Sequence, residues 1–254
     1  MDFKNKTAIV TGAASGMGLL FAENFSALGG NVVMCDINEA VLNEKTDAIN
    51  SKGCGKAIGA VCDVRDYSQV CSVRDKAVAE FGSIDIMLNF AGGSAVRILK
   101  VDNEKCPEFP DVPMEVFDWG IDVNLKGAFY FSHAVSAQMR KQKSGLIINI
   151  GSIIGAEGDD YCMDYSASKS GLMYGFTKSL AQFGEKYNIR AVCISPGPVL
   201  TRANMAEMKT LLGRAAEPQE IVDLCLFVAS DKGQFINGEN IMIDGGRNAM
   251  RRAD

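Results

Sequence analysis

Histidine is almost absent from this chain, with a single copy, His133, in 254 residues. One imidazole placed inside a helical pattern reads as packing or interface, and no metal site is expected. Long apolar runs are missing as well. No stretch near 18 residues is free of charge, so no membrane-spanning helix is expected. Met1-Asp2-Phe3-Lys4 leads directly into a β-rich run, which argues against a signal peptide. The eight cysteines (35, 54, 62, 71, 106, 162, 193 and 225) contain no C-x-x-C pair. They read as buried thiols of a reducing compartment, which excludes a disulfide frame and a zinc site and suggests a cytoplasmic protein. Cys162 is the exception: three residues before Tyr165, it is placed to line the pocket, although a space-filling role is preferred. A large excess of either charge sign is missing too. A net charge of −5 argues against nucleic acid or an anionic membrane as partner. There is no internal repeat, low-complexity segment or linker.

What the chain does have is a regular alternation. Strand-like runs occur at 7–11, 31–36, 57–61, 84–89, 146–150, 191–195 and 240–243. Helical patterns follow the glycine-rich turn after the first run and fall at about 38–51, 66–81, 114–142, 161–186 and 217–230. The strands are apolar almost throughout, as in a parallel sheet covered on both faces. The expectation is a three-layer, doubly wound Rossmann sheet of seven parallel strands and six helices, forming one domain over residues 1–254.

The first strand runs straight into Gly12-Ala13-Ala14-Ser15-Gly16-Met17-Gly18, and a helical pattern begins at once. Glycines let the backbone approach a pyrophosphate, and the helix N-terminus supplies free N–H groups and a positive dipole end. The second strand ends in Asp36, about twenty residues on, where a carboxylate can accept both ribose hydroxyls of NAD and repel a 2′-phosphate. Ala13, Ala14, Ser15 and Ile37 are not basic, so NAD is favoured over NADP.

Tyr165 and Lys169 stand four residues apart and share a helix face. A free tyrosine titrates near pH 10; a neighbouring ammonium favours the phenolate and makes it usable for acid–base work. Ser152 closes a strand-like run thirteen residues upstream. Hydride leaves a carbinol carbon only as its O–H proton departs. Such a reaction needs a base on oxygen, a donor to the developing alkoxide and a nicotinamide face. Tyr165, Ser152 and the glycine turn answer these three needs.

Taken together, Thr11-Gly12-x-x-x-Gly16-x-Gly18, Cys62-Asp63-Val64, Asn89-x-Ala91-Gly92, Asn124, Ser152, Tyr165-x-x-x-Lys169, Pro196-Gly197 with Thr201, and Ile243-Asp244-Gly245-Gly246 resemble the short-chain dehydrogenase/reductase family over essentially the whole chain. The resemblance implies a catalytic set of Asn124, Ser152, Tyr165 and Lys169. Tyr165 would be the acid/base, Ser152 would hold the substrate oxygen, and Lys169 would lower the tyrosine pKa and bind the nicotinamide ribose. Asn124 would anchor a water in a proton relay. It further implies cofactor contacts from Gly12, Ser15, Gly16, Met17 and Gly18, from Asp36 and Ile37, and from Asp63 and Val64 at the adenine. Asn89, Ala91 and Gly92 would lie under the adenine ribose, and Pro196, Gly197, Val199 and Thr201 would hold the carboxamide. The helices at 114–142 and 161–186 carry apolar residues on more than one face, and the resemblance implies that they pair between subunits of a tetramer.

Three features are this chain's own. Phe90 stands where the family has a second asparagine. The stretch between Gly92 and Asn124 is about ten residues long for the family, and 198–216, the family's mobile lid, is about ten residues short. The longer loop, stiffened by Pro107, Pro110 and Pro113, is expected to share the covering role; a surface excursion or oligomer contact is the alternative. Glu157, Asp159, Asp160 and Asp164, interspersed with Ile153, Ile154, Tyr161 and Met163, put negative charge near the site. They favour a neutral sterol, cyclic alcohol or polyol over an anionic substrate. The readings that stay open are an NADP-dependent carbonyl or 3-oxoacyl reductase, opposed by Asp36, and a non-catalytic dinucleotide-binding scaffold, opposed by the complete catalytic set.

Overall fold

The structure is a computed structural model that describes residues 1–95 and 107–250. All seven expected strands form: β1 (Thr7–Thr11), β2 (Asn31–Asp36), β3 (Ala57–Val61), β4 (Ile86–Asn89), β5 (Gly145–Ile150), β6 (Ile189–Pro196) and β7 (Asn240–Ile243). They make one sheet of order β3-β2-β1-β4-β5-β6-β7, and every neighbouring pair is parallel. Strand order reverses between β1 and β4, which opens a crevice at their carboxyl ends.

Alternate residues of each strand feed opposite faces. Ala8, Val10, Val32, Met34, Ile86 and Leu88 pack on one side with Phe21, Phe25, Leu42, Ile221 and Cys225. These come from helices α1 (Gly16–Ala27), α2 (Glu39–Asn50) and, late in the chain, Pro218–Ala229. Ile9, Val33, Cys35, Met87 and Ile147 pack on the other with Val70, Val73, Phe131, Val135, Met139 and Ala181. Full burial of a side chain such as Phe21 or Phe131 contributes roughly 2–3 kcal/mol. This is the three-layer doubly wound arrangement.

Capping sets several helix ends. Asn38 accepts the Val41 N–H at the start of α2. Asp66 accepts the Ser68 and Gln69 N–H groups at the start of α3 (Tyr67–Phe81), and left-handed Gly82 stops it. Two expected long helices differ from expectation. The one at 114–142 is α4 (Met114–Ile121), a π turn at Asp122–Lys126, and α5 (Gly127–Gln142). After the short α6 (Ile154–Glu157), the one at 161–186 is α7 (Met163–Ser170), a π turn at Gly171–Phe176, and α8 (Thr177–Gly184). Apolar periodicity runs through a π turn without a sign, so sequence alone merges the pieces. α9 is Pro218–Ala229, with proline at its first position.

Cys35, Cys62, Cys193 and Cys225 are buried as expected, but Cys54 is exposed and Cys71 and Cys162 are half-buried. Cys54 lies in the turn between α2 and β3, outside any packed element. Cys106 and most of the long loop, 96–106, fall outside the described residues, as do the last four of the C-terminal tail. Among the described residues no helix is long and apolar enough to cross a membrane.

Candidate active site

The carboxyl ends of the strands border an open cleft of about 1440 Å³. That exceeds the roughly 300–1,000 Å³ of a single small-ligand pocket, leaving room for a dinucleotide and a second molecule. Its floor at β1 is the glycine turn. Gly12 and Gly16 have φ of 65° and 57°, the left-handed region that a side chain would strain. A Cβ on Gly18 would lie 2.3 Å from the Gly12 carbonyl oxygen, so only glycine lets the turn close onto α1. Ser15 precedes α1 without a capping side-chain hydrogen bond, and the first turn holds no acid. The leading N–H groups of α1 therefore point at the cleft without a protein anion against them, which fits a pyrophosphate.

Asp36 closes β2 and lines the same cleft. Its Oδ2 accepts the Ala14 N–H at 3.0 Å and its Oδ1 accepts the Asn38 N–H at 3.0 Å. These bonds orient the carboxylate across the glycine turn and leave further lone pairs for ribose hydroxyls. Asp63 and Val64 line the cleft at the end of β3. The Asp63 carboxylate is clasped by Arg65, with Nη2–Oδ2 at 2.6 Å, and the hydrogen bonds from Arg65 hold it below the usual carboxylate range.

At the end of β4 the expected contacts separate. Ala91 and Gly92 line the cleft, whereas Asn89 does not. The Asn89 side chain is buried at the end of the central strand, beside β5. Its Nδ2 donates to Asn149 Oδ1 at 2.9 Å, and Asn149 Nδ2 donates in turn to Thr177 Oγ1 at 3.0 Å. Asn89 thus stitches β4 to β5. Phe90, in the place of the family's second amide, lines the cleft and packs 6.2 Å from the Phe21 ring of α1. The missing amide is replaced by an apolar contact. Thr11 joins β1 to this loop, accepting the Ala91 N–H at 3.0 Å.

Asn124 sits in the first π turn, buried, and does not line the cleft. Its Oδ1 accepts the Gly93 N–H at 2.8 Å, and its Nδ2 donates to the Gly93 and Gly120 carbonyls at 2.9 and 2.8 Å. The side chain is therefore a clamp on the loop after β4. Gly92 is the wall it shares with Lys169: a Cβ there would lie 2.6 Å from Asn124 Oδ1 and 3.4 Å from Lys169 Nζ.

Ser152, Tyr165 and Lys169 all line the cleft. Backbone bonds from Gly151 to Ile194 and from Ile153 to Pro196, 2.9 and 2.8 Å, extend the β5–β6 pairing past the strand end and fix Ser152 between them. Tyr165 and Lys169 lie on α7, as the spacing predicts. Lys169 Nζ is 5.3 Å from the Tyr165 ring centroid and donates to the Ile150 carbonyl at 2.7 Å. Burial pulls its pKa down to about 8, so at neutral pH it is still a cation beside the phenol. Lys169 is thus a desolvated charge with one fixed carbonyl partner.

The acids expected to charge the substrate end are mostly diverted. Glu157 is paired with Arg247, and Asp160 does not line the cleft. Asp164 turns away and packs against Gly120, whose missing Cβ makes room for it. Only Asp159 lines the cleft, and its Oδ1 accepts the Tyr161 and Cys162 N–H groups. Cys162 lines the cleft, the alternative to the filler role preferred from sequence, with Sγ 3.0 Å from Ser94 Oγ. His133 is exposed and its Nδ1 lies 2.6 Å from the Tyr67 hydroxyl, away from the cleft. Trp119, Met205, Met208 and Arg202 line the substrate side and were not singled out from sequence. Trp119 carried a usable signal, lying five residues before Asn124 on the same helical rod.

A family model described as Enoyl-(Acyl carrier protein) reductase matches residues 12–248. The chain is 33% identical to the 3-oxoacyl-(acyl-carrier-protein) reductase of Escherichia coli, covering 97% of this chain and 98% of that one. It is 37% identical to the trans-4-hydroxycyclohexanecarboxylate dehydrogenase of Sinomonas cyclohexanicum, covering 96% and 93%. A crystal structure of a 3-oxoacyl-(acyl-carrier protein) reductase with bound NAD from Brucella melitensis superposes with a TM-score of 0.86 at 29% identity, covering 96% of this chain and 91% of that one.

Proposed function

The chain belongs to the short-chain dehydrogenase/reductase family and is an oxidoreductase; on that premise we propose that it interconverts a neutral cyclic secondary alcohol and its ketone with NAD(H), using Tyr165 as acid/base. The observation that carries the reading is Lys169: a buried ammonium anchored on the Ile150 carbonyl, 5.3 Å from the Tyr165 ring, at the same cleft as Ser152 and the glycine turn. NAD, when bound, supplies the hydride acceptor. In the oxidative direction Tyr165 takes the alcohol proton while Ser152 donates a hydrogen bond to the same oxygen. Lys169 keeps the tyrosine anion accessible by its charge. Asn124 holds the Gly93 loop against Lys169, and we assign it the proton relay on the family pattern. Asp36 would accept the adenine-ribose hydroxyls, which favours NAD over NADP. Trp119, Ile154, Tyr161, Met205 and Met208 give the substrate end apolar walls suited to a ring better than to a polyol.

The test is a screen of cyclic secondary alcohols with NAD, following absorbance of the reduced cofactor, with Tyr165→Phe as control. Turnover that vanishes in Tyr165→Phe while NAD still binds is expected; turnover that survives the substitution would refute the assignment. A second reading, 3-oxoacyl reduction, is favoured by the names of several relatives. Faster reduction of a 3-oxoacyl thioester, with tighter NADPH than NADH binding, would replace the first reading. We also propose a homo-oligomer built on the faces of α5, the second π turn and α8, where Phe129, Tyr174 and Phe183 respectively are exposed; a monomeric mass by light scattering would contradict it.

A further inference from the structure

A single arginine beyond the last strand ties together three segments that surround the substrate end of the cleft. β7 is followed by the turn Asp244-Gly245-Gly246, and Arg247 opens the short 3-10 turn Arg247–Ala249. Asp244 pre-sets this turn: its Oδ1 accepts the Gly246 N–H at 2.9 Å and its Oδ2 accepts the Asn248 N–H at 2.7 Å. From there the guanidinium reaches Glu157, with Nε and Nη2 both 3.1 Å from Oε2. Its Nη1 donates to the Lys209 carbonyl at 3.3 Å. Both side chains are about three-quarters buried, with 25% and 27% of their surface exposed. That sets the pair apart from freely solvated surface ion pairs, which contribute little.

Each partner belongs to a wall of the cleft. Glu157 ends α6, the helical turn that begins two residues after Ser152 and lines the cleft through Ile154. Lys209 follows Met208, and Met205 and Met208 line the cleft from the other side. The segment carrying them follows β6, and its two ends are pinned together by an isolated parallel bridge between Val199 and Ala216. Its returning limb rests on the β7 turn, with the Leu212 N–H donating to the Gly245 carbonyl at 3.1 Å. Among the described residues, Arg247 is the one side chain outside the segment that hydrogen-bonds the stretch from Thr201 to Lys209. A cavity of about 600 Å³ lies behind it, lined by Glu207, Lys209, Asn248 and Met250 and sharing Met208 with the cleft. The segment is therefore not packed solidly on that side.

We propose that Arg247 is a positioning residue: through Glu157 and the Lys209 carbonyl it latches the shortened 198–216 segment against α6, and so sets the shape of the substrate end. A fork of donors on a fixed turn can hold a carboxylate and a carbonyl at once, which a lysine cannot match. The latch replaces length with a tether, since a short lid has little surface of its own to bury. The reach of the latch into substrate binding rests on the proposed alcohol–ketone reaction; the tether itself does not.

The test uses the full chain with NAD present. Trypsin cuts after Arg202 and Lys209 within the segment, and cleavage after Arg140 and Lys186, on or beside other helices, serves as reference. In Arg247→Met and in Glu157→Gln, cleavage after Arg202 and Lys209 should accelerate about fivefold while the reference sites keep their rates. The double variant should be no faster than Arg247→Met alone, because that substitution already removes the Glu157 pair along with the Lys209 bond. With cyclohexanol as probe, KM should rise about fivefold or more and kcat should stay within about twofold. Unchanged lid cleavage, equal acceleration at every site, additive effects of the two substitutions, or a loosened lid with an unchanged KM would each overturn the proposal. If the wild-type protein oxidises no secondary alcohol, the proposed reaction fails, and the cleavage pattern still decides the latch.

Discussion

Lys169 offers the sharpest test of how the site was built, because its burial has a stability consequence opposite to its catalytic one. The ammonium is 3% exposed, and its pKa is brought from 10.5 down to about 8. The group's folded pKa lies below its unfolded one, so the unfolded chain holds the proton more tightly. Below pH 8 the lysine is charged in both states and the native state carries the whole desolvation penalty. The shift corresponds to about 3 kcal/mol at 1.36 kcal/mol per unit. Between pH 8 and 10.5 the native state sheds the proton first, so wild-type stability rises with pH through that window; by pH 10 most of the penalty is gone. Lys169→Met removes the charge and keeps most of the volume, but leaves the Ile150 carbonyl without its donor, at a cost of about 1–3 kcal/mol. In cofactor-free protein at pH 7 the variant should equal or exceed wild type by up to about 2 kcal/mol, while oxidation of the alcohol is lost. Urea midpoints of both proteins across pH 6–10 are the assay. The variant's advantage should shrink by about 2–3 kcal/mol from pH 7 to pH 10. A gap that does not change with pH would refute the claim that a desolvated cation is held beside Tyr165.

Further outcomes follow from the same geometry. Asp36→Asn keeps an oxygen for the backbone of the glycine turn but removes the charge. NADH binding should weaken about ten- to a hundredfold, with NADPH losing less, by fluorescence titration. Gly92→Ala drives a methyl group to 2.6 Å from Asn124 Oδ1. Displacing that amide should lower the melting temperature by a few degrees, for about 1–2 kcal/mol in a chain of this size, and reduce turnover at least about tenfold. Asp164 has one carboxylate oxygen buried without a hydrogen-bond partner, and burial raises its pKa. A raised folded pKa means stability present at low pH and lost as pH climbs through that value. Asp164→Asn should therefore be more stable than wild type at pH 7 and match it near pH 3, by thermal unfolding at both.

Much of the architecture was legible because it rests on local rules. Apolar strands, the glycine turn and Asp36 are each encoded within a few consecutive residues, and the expected strands formed with ends moved by at most two residues. The i,i+4 spacing of Tyr165 and Lys169 placed them on one helix face for the same reason. Side-chain direction at strand ends was not legible. Asn89 belongs to a cofactor-site motif by sequence, yet its amide turns to Asn149 of β5. The acids near Tyr165 looked like a charged rim, but Glu157 found Arg247 ninety residues away and Asp164 found the space left by Gly120. The π turns were invisible because they shift hydrogen bonds by one residue without altering the apolar pattern.

By itself the sequence determined that this is a doubly wound sheet with a dinucleotide turn, and it carries a tyrosine, a lysine and a serine that suit the proposed hydride-linked proton transfer. Periodicity, glycine spacing and residue chemistry act over short distances and survive in one dimension. The tertiary structure alone decided that Lys169 is stripped of water on the Ile150 carbonyl, that Asn124 grips the loop after β4, and that Arg247 joins the two walls of the substrate end. Each depends on groups far apart in the chain meeting at hydrogen-bond distance in a medium where an unpaired charge is costly. Only packing creates that condition.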